Sequence, residues 1–226
     1  MYDSEYFKTV DKSYNSFDIL RLKTVVNILK DLPKGNLCLD AGSGGGHYLD
    51  FLVERFTKVI GFEFSKAGIK QSKNIIRKKA FIINGSLVER LPFIDNSFDF
   101  ILCSETLEHL DGLDTVLSEL KRVLKSNGKL LVTVPNFTKL SFEYIREIVS
   151  EKDPTHIHRY SFCGWEKILS RYFSIKRISS SSFIPSFPLY SLGFSDTRIL
   201  KIESITRKIP VFRALGRECI FLLEKR

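Results

Sequence analysis

The sequence predicts an α/β fold with a mostly parallel sheet that is covered by helices on both faces. Short apolar runs alternate with segments of helical periodicity through residues 36–135. The first two runs show no alternation of polar and apolar residues, as is typical of parallel strands buried on both sides. The first run also leads directly into a glycine-rich turn at residues 42–46. Strands that alternate with helices indicate βαβ units, in which every strand points the same way.

Five strands and four helices are expected in the first 135 residues. A helix within residues 13–31 has apolar residues at helical spacing and ends before Pro33-Lys34-Gly35. The predicted strands are Leu37–Asp40, Val59–Glu63, Ala80–Ile83, Phe98–Cys103 and Leu130–Val134. The other predicted helices are His47–Phe56, a helix capped by Ser65 that continues through Ile76, and Thr115–Leu124, which Asn127-Gly128 is expected to terminate.

The pattern changes after Pro135. Helices are expected at 138–152 and Ser161–Tyr172, a strand at Phe173–Ile178, a turn or loose strand end in the serine run 179–182, and a last strand at Glu218–Glu224. No long linker separates these segments, so we expect one domain over residues 1–226. It consists of an N-terminal helical segment (1–35), a ligand-binding core (36–135) and substrate-side helices with the final strands (136–226).

Composition favours a folded protein without a membrane span. The chain has 226 residues, an apolar fraction of 43% and a net charge of +9. No window approaches the roughly 18 uncharged apolar residues of a transmembrane helix, and the acidic N-terminus is unlike a secretory signal. We therefore expect a cytoplasmic location. The four cysteines are scattered and are expected to lie in the core rather than in a disulfide or metal framework.

Positive charge is concentrated at the C-terminal end. Residues 139–226 carry 16 Lys+Arg and 9 Asp+Glu, whereas residues 1–138 carry 19 and 17. Solvated helix faces explain such an excess, and so does contact with an anionic partner, such as a phosphate, a carboxylate or RNA.

The glycine loop excludes two common kinds of phosphate site. No Lys-Ser or Lys-Thr follows the glycines, so the loop is not a phosphate-binding P-loop. The third position of a dinucleotide fingerprint falls on His47 or Leu49, neither of which is glycine. The pattern that does fit is Asp-x-Gly-x-Gly-x-Gly, at residues 40–46. Strand, glycine loop and helix together bring backbone N–H groups and a helix N-terminus to a ligand.

That pattern resembles the first motif of the class I S-adenosylmethionine-dependent methyltransferases, of the small-molecule type. Further segments strengthen the resemblance. Glu63 ends the next strand, 23 residues after Asp40. The family's middle and later blocks are resembled by five segments: Gly85-Ser86-Leu87, Leu91-Pro92-Phe93, Asn96–Asp99, Cys103–Leu110 and Lys121–Leu130. The resemblance covers roughly residues 37–135. It implies a Rossmann-like, doubly wound, seven-stranded sheet with a C-terminal lid, and S-adenosylmethionine as cofactor.

The resemblance also implies the residues that bind the cofactor. Asp40 supplies negative charge near its ammonium and sulfonium groups, the glycines let the backbone approach closely, and Glu63 accepts hydrogen bonds from the ribose hydroxyls. Ser86 stands where the family usually has an aspartate that faces the adenine amino group, and Leu87 packs on the base. The full predicted set is Asp40, Gly42, Ser43, Gly44, Gly46, Glu63, Phe64, Ser86, Leu87, Ser104 and Glu105.

Histidines are the predicted acceptor-side residues. A hydroxyl acceptor needs a base, and histidine suits that role near neutral pH. His109, His156 and His158 are the candidates, while His47 is expected to shape the glycine loop. In an extended segment His156 and His158 lie on one face, and His156 matches a His-x-x-x-Tyr-Ser stretch of many small-molecule methyltransferases. These two residues alone lack further metal ligands, so no metal is expected. The apolar, proline-broken segment 183–194 is either a wall of the acceptor pocket or ordinary packing.

The function predicted from sequence is methyl transfer to a small-molecule oxygen or nitrogen acceptor, anionic or partly apolar. An RNA (tRNA) methyltransferase is the alternative that the basic C-terminal part favours, although no RNA-binding module is recognisable. A protein that holds the cofactor without turnover is a second alternative, and a nicotinamide oxidoreductase is disfavoured by the failed fingerprint. Neither the acceptor nor the oligomeric state can be derived from the sequence.

Overall fold

The computed structural model describes residues 16–32, 34–72, 80–139, 141, 154–181 and 215–226, with positions 198, 201, 202 and 205. Its helices are α1 (Ser16–Lys30), α2 (Leu49–Leu52), α3 (Lys66–Ser72), α4 (Leu113–Val123) and α5 (Phe162–Leu169), and a 3₁₀ turn spans Leu107–His109. Its strands are β1 (Gly35–Ala41), β2 (Phe56–Glu63), β3 (Ala80–Asn84), β4 (Phe98–Ser104), β5 (Leu124–Pro135), β6 (Phe173–Ser181) and β7 (Glu218–Lys225).

The seven strands form one sheet in the order β3-β2-β1-β4-β5-β7-β6. β1 to β5 are parallel to one another, whereas β7 lies antiparallel between β5 and β6. This arrangement confirms the predicted doubly wound, mostly parallel α/β fold. The division of residues 1–226 into three functional segments of one domain stays a prediction.

Both faces of the sheet are buried, because successive strand residues point to opposite sides. In β4, Ile101 and Cys103 join the core cluster under α4 and α5, where Trp165 is wholly buried. Phe100 and Leu102 join a second cluster, beneath α1. Two apolar clusters on opposite faces explain the unbroken apolar strand sequences.

Two elements near the glycine loop and α4 differ from the prediction. The helix expected over His47–Phe56 is the single turn α2, because β2 begins at Phe56, whose ring stacks on Phe100 at 5.4 Å between centroids. Gly128 does not terminate α4, which ends at Val123. It lies in an irregular part of β5, where a Cβ would come within 2.7 Å of the Leu124 side chain.

Corrections also apply to the C-terminal part. The serine run is not a loose end, because Ser179 and Ser180 are buried in β6 and pair with β7. Cys163 is exposed on α5, whereas the other three cysteines are buried as expected. The helix predicted from Ser161 ends at Leu169 rather than Tyr172, and the Ser161 hydroxyl caps it by accepting from the Gly164 N–H at 3.3 Å. The predicted helix 138–152, apart from three of its positions, and the segment 183–194 lie outside the described residues.

Candidate functional site

The predicted site lies at the edge of the sheet where the parallel strands end. Asp40 pairs in register with Gly61 of β2 on one side and with Leu102 of β4 on the other. The strand order reverses at this point, since β1 leads to β2 in one direction and β4 lies in the other. Open α/β sheets bind ligands in the crevice at such a switch point. The glycine loop therefore emerges where a ligand site is expected.

Three glycines of the loop have backbone angles that favour glycine. Gly42, Gly44 and Gly46 have φ values of 79°, 50° and 83°, in the region that other residues rarely adopt. Gly42 also lies against Thr106, where a Cβ would come within 2.5 Å of the threonine side chain. The spacing of the glycines thus has a direct conformational cause, and the loop exposes backbone rather than side chains. Because α2 is only one turn long, the predicted helix N-terminus contributes little here.

Glu63 closes the loop through both carboxylate oxygens. The Gly44 N–H donates to its Oε2 and the Ser65 N–H donates to its Oε1, each at 2.7 Å. Burial raises the pKa of Glu63, and the N–H bonds from Ser65 and Gly44 lower it in part. Each oxygen retains a further lone pair. The carboxylate can therefore hold the loop and still accept from a ligand hydroxyl.

Asp40 lies in β1, two residues before Gly42, and is only 2% exposed. Burial, with a smaller effect of the Glu63 charge, raises the pKa of Asp40 to about 8. Among the described residues its Oδ2 has no hydrogen-bond partner. A buried carboxyl in this state gains from an adjacent cation, which favours its charged form. The residues present therefore fit a cationic ligand such as S-adenosylmethionine.

A pocket of about 390 Å³ opens beside Glu63 at the ends of β2 and β3. Its lining includes three predicted or adjacent residues, Phe64, Gly85 and Ser86, together with Ser65, Lys66, Asn84 and Glu89. Phe64 is 65% exposed, so its ring is available as a flat apolar surface. Leu87 is instead buried in the core below. The pocket brings Phe64 and Ser86 together at the position that the resemblance gives to the nucleoside.

Ser104 is the last residue of β4, and Glu105 follows it. The Ser104 hydroxyl lies 2.8 Å from that of Thr133 and donates to the Tyr48 hydroxyl at 3.3 Å. Glu105, at a φ of 49°, accepts from Thr133 at 3.0 Å and pairs with Arg21 of α1 at 3.1 Å. The sequence did not indicate Arg21 or Tyr48, because their contacts arise from distant parts of the chain.

Two of the three candidate histidines meet. The rings of His109 and His156 lie 4.8 Å apart, and both side chains are largely buried. His158 points toward the same segment, since its Nε2 lies 2.9 Å from the Leu110 carbonyl, and it stacks on Tyr160. Ile157 between them is 47% exposed. The shared face of His156 and His158 and the catalytic role of the three histidines stay predictions.

Glu108 is a site residue that sequence reasoning missed. It is wholly buried next to His109, with Oε1 3.7 Å from Nε2 of His109. The ligand atoms of Glu108, His109 and His156 all lie within 4.8 Å of one another. The motif Glu-His was visible in the sequence, but its third member is 47 residues away. Only the fold brings the three together.

Comparisons with known proteins identify a methyltransferase domain in this chain. A family model described as a methyltransferase domain matches residues 39–132. An uncharacterized protein of Methanocaldococcus jannaschii is 36% identical over 93% of this chain and 89% of its own length. The ubiquinone biosynthesis O-methyltransferase of Pelagibacter ubique is 28% identical over 59% of this chain and 60% of its own length.

Solved structures show the same fold over nearly the whole chain. A SAM-dependent methyltransferase from Archaeoglobus fulgidus has a TM-score of 0.71, with 21% identity over 97% of this chain and 99% of that one.

Several sequence relatives are longer than the region they share with this chain, which spans 54% to 60% of their length. In the described part of the chain, no helix has the length and apolar character needed to cross a membrane.

Proposed function

The chain belongs to the class I S-adenosylmethionine-dependent methyltransferases, and we propose that it transfers a methyl group from this cofactor to a small-molecule acceptor. The observation that carries the proposal is the glycine loop, which Glu63 holds through Gly44 and which follows the buried carboxyl of Asp40 in the chain. When bound, the cofactor supplies an electrophilic methyl group on a sulfonium sulfur. The residues of the chain bind and orient it and prepare the acceptor.

Asp40 and Glu63 account for the polar parts of the cofactor. A cation beside Asp40 stabilises its charged form, so binding releases the proton that the raised pKa otherwise retains at neutral pH. Glu63 keeps lone pairs for the ribose hydroxyls while it holds Gly44. Phe64 and Ser86 line the pocket that takes the adenine. Together these contacts orient the reactive methyl group away from the adenine pocket and toward the acceptor.

The acceptor side comprises the segment after β4 and the segment that carries His156 and His158. Methyl transfer is an in-line displacement, so holding the two reactants in line supplies much of the acceleration. A histidine that removes the acceptor proton adds a factor of about 10²–10⁴. We assign this role to His158, because it lies outside the cluster of Glu108, His109 and His156. Its Nε2–H donates to the Leu110 carbonyl, which leaves Nδ1 as the basic nitrogen.

An oxygen atom on a small molecule is the acceptor that we favour. The relative from Pelagibacter ubique is named as an O-methyltransferase of ubiquinone biosynthesis. Part of the excess C-terminal charge is neutralised by the N-terminal part of the chain, since Arg177 pairs with Asp31 at 3.5 Å. This pair reduces the case for RNA as the substrate.

Calorimetric titration with S-adenosylmethionine and its demethylated product tests the cofactor. We expect saturable binding to the wild type; no measurable heat with either ligand would refute the proposal. Release of the demethylated product is then measured across phenols, catechols, carboxylic acids, amines and bulk tRNA. Turnover with tRNA alone, with salt-dependent binding, would identify an RNA methyltransferase. Binding without turnover on any acceptor would favour a non-catalytic cofactor-binding protein.

A further inference from the structure

We propose that Glu108, His109 and His156 bind a divalent transition-metal ion such as Zn²⁺ or Mn²⁺ on the acceptor side of the site. Two imidazole nitrogens and one carboxylate oxygen converge there from two separate segments. This donor set suits first-row divalent ions; it is unlike the all-oxygen sets that Mg²⁺ and Ca²⁺ prefer. The sequence-based expectation of no metal considered only His156 and His158.

The distances are close to those of a metal site. At a tetrahedral ion with bonds of about 2.1 Å, two ligand atoms lie about 3.4 Å apart. Oε1 of Glu108 and Nε2 of His109 are 3.7 Å apart, close to that separation. All three ligand atoms lie within 4.8 Å of one another, so closure on an ion needs shifts of up to about 1.4 Å, which side-chain rotations supply.

His109 is held in the form that a metal requires. Its Nδ1 lies 3.0 Å from the carbonyl oxygen of Thr155, which can only accept. The hydrogen of a neutral ring therefore sits on Nδ1, and the lone pair of Nε2 faces Glu108. Metal-binding histidines typically donate their other N–H to a carbonyl or carboxylate in this way.

The two segments are joined before any ion binds. The N–H groups of Ile157 and His158 both donate to the main-chain carbonyl of Glu108 at 3.0 Å. These bonds fix the segment that carries His156 on the 3₁₀ turn that carries Glu108 and His109. A preassembled site loses little conformational entropy when the ion binds.

The site also lies close to the cofactor loop. Thr106, two residues before Glu108, packs against Gly42. Three protein ligands leave open positions on the ion, as in catalytic metal sites. An acceptor hydroxyl that takes one of these positions has its pKa lowered. This last role rests on the proposed methyl transfer, whereas metal binding itself does not.

Metal titration of the chelator-treated full chain tests the proposal. We expect one Zn²⁺ or Mn²⁺ per chain by calorimetry, and a visible absorption spectrum with Co²⁺. Glu108→Gln, His109→Gln and His156→Gln should each weaken binding at least tenfold. His158→Gln is the matched control, because it removes a histidine from the same segment without touching the cluster, and it should change the affinity less than twofold.

The outcomes separate this proposal from the proposed function. Absence of ion binding in the wild type, or an equal loss in His158→Gln and His156→Gln, would overturn the metal site. The same metal-free preparation is titrated with the demethylated cofactor. Cofactor binding without ion binding refutes the metal site alone, whereas ion binding without cofactor binding refutes the methyltransferase proposal alone. If Glu108→Gln does not fold, as judged by circular dichroism, the metal site is tested by the His109→Gln and His156→Gln variants and by the Co²⁺ spectrum.

Discussion

Replacing Asp40 by asparagine should stabilise the cofactor-free protein. Asp40 is buried and has a pKa of about 8, compared with about 3.9 in an unfolded chain. At pH 7 folding must therefore protonate this carboxyl, at a cost of about 1.4 kcal/mol for each pH unit above the unfolded pKa, or about 4 kcal/mol. Asparagine has nearly the same shape and no such cost. We expect the free energy of unfolding of Asp40→Asn at pH 7 to exceed that of the wild type by up to this amount.

The pH dependence has a definite sign. Below about pH 4 the Asp40 carboxyl is protonated in both the folded and the unfolded chain. Folding then requires no proton uptake by Asp40, so this carboxyl does not lower the stability of the wild type relative to the variant. The cost grows as the pH rises toward the folded pKa of about 8 and is constant above it. Urea unfolding at pH 5 and pH 7 should therefore show the advantage of the variant increasing by about 3 kcal/mol.

Asp99→Asn is the matched control. Burial by itself would raise the pKa of Asp99. Hydrogen bonds from Lys125 and from the N–H groups of Leu37 and Asn36 outweigh this effect, and the pKa of Asp99 lies below its usual range. Asp99 is thus ionised in both states between pH 5 and pH 7, and its variant should show a pH-independent difference there. A pH-independent difference for Asp40→Asn as well, or a loss of stability at pH 7, would refute the account of Asp40.

The opposite effect is expected on binding. Asparagine carries no charge toward a cationic ligand, so the variant should bind S-adenosylmethionine more weakly than the wild type while it unfolds at higher urea concentration. Calorimetry at pH 7 measures this. An unchanged affinity would remove Asp40 from the binding site.

Three further substitutions test individual contacts. Glu63→Ala should weaken binding of the demethylated cofactor by about 1–3 kcal/mol in calorimetry, the scale of hydrogen bonds to a charged group; an unchanged affinity would place Glu63 away from the ribose. Gly42→Ala should lower the urea midpoint more than Gly112→Ala, because both have positive φ but a Cβ meets a neighbour within 2.5 Å only at Gly42. Asn136→Ala should cost about 3 kcal/mol of unfolding free energy, since the buried amide donates to the Gly216 carbonyl at 2.7 Å; a cost below 1 kcal/mol would contradict this assignment.

The elements that could be predicted are those with local causes. The strand Leu37–Asp40 was recognisable because burial on both faces requires an unbroken apolar run, and β1 extends it by only a few residues. The helix expected at Thr115–Leu124 corresponds to α4, whose apolar residues recur at helical spacing. The prediction that Gly128 ends the helix is wrong: a glycine after a helix usually ends it, whereas Gly128 permits close contact with Leu124 within β5.

By itself, the sequence determined the first strand, the glycine loop and the nature of the ligand. The loop needs a positive φ at three positions, and the sequence has glycine at each of them: Gly42, Gly44 and Gly46. The tertiary structure alone decided which side chains meet. The carboxylate of Glu63 holds Gly44, 19 residues before it, and Glu108 and His109 face His156 because two backbone bonds join their segments. Such contacts depend on the relative placement of whole elements, which local spacing does not encode.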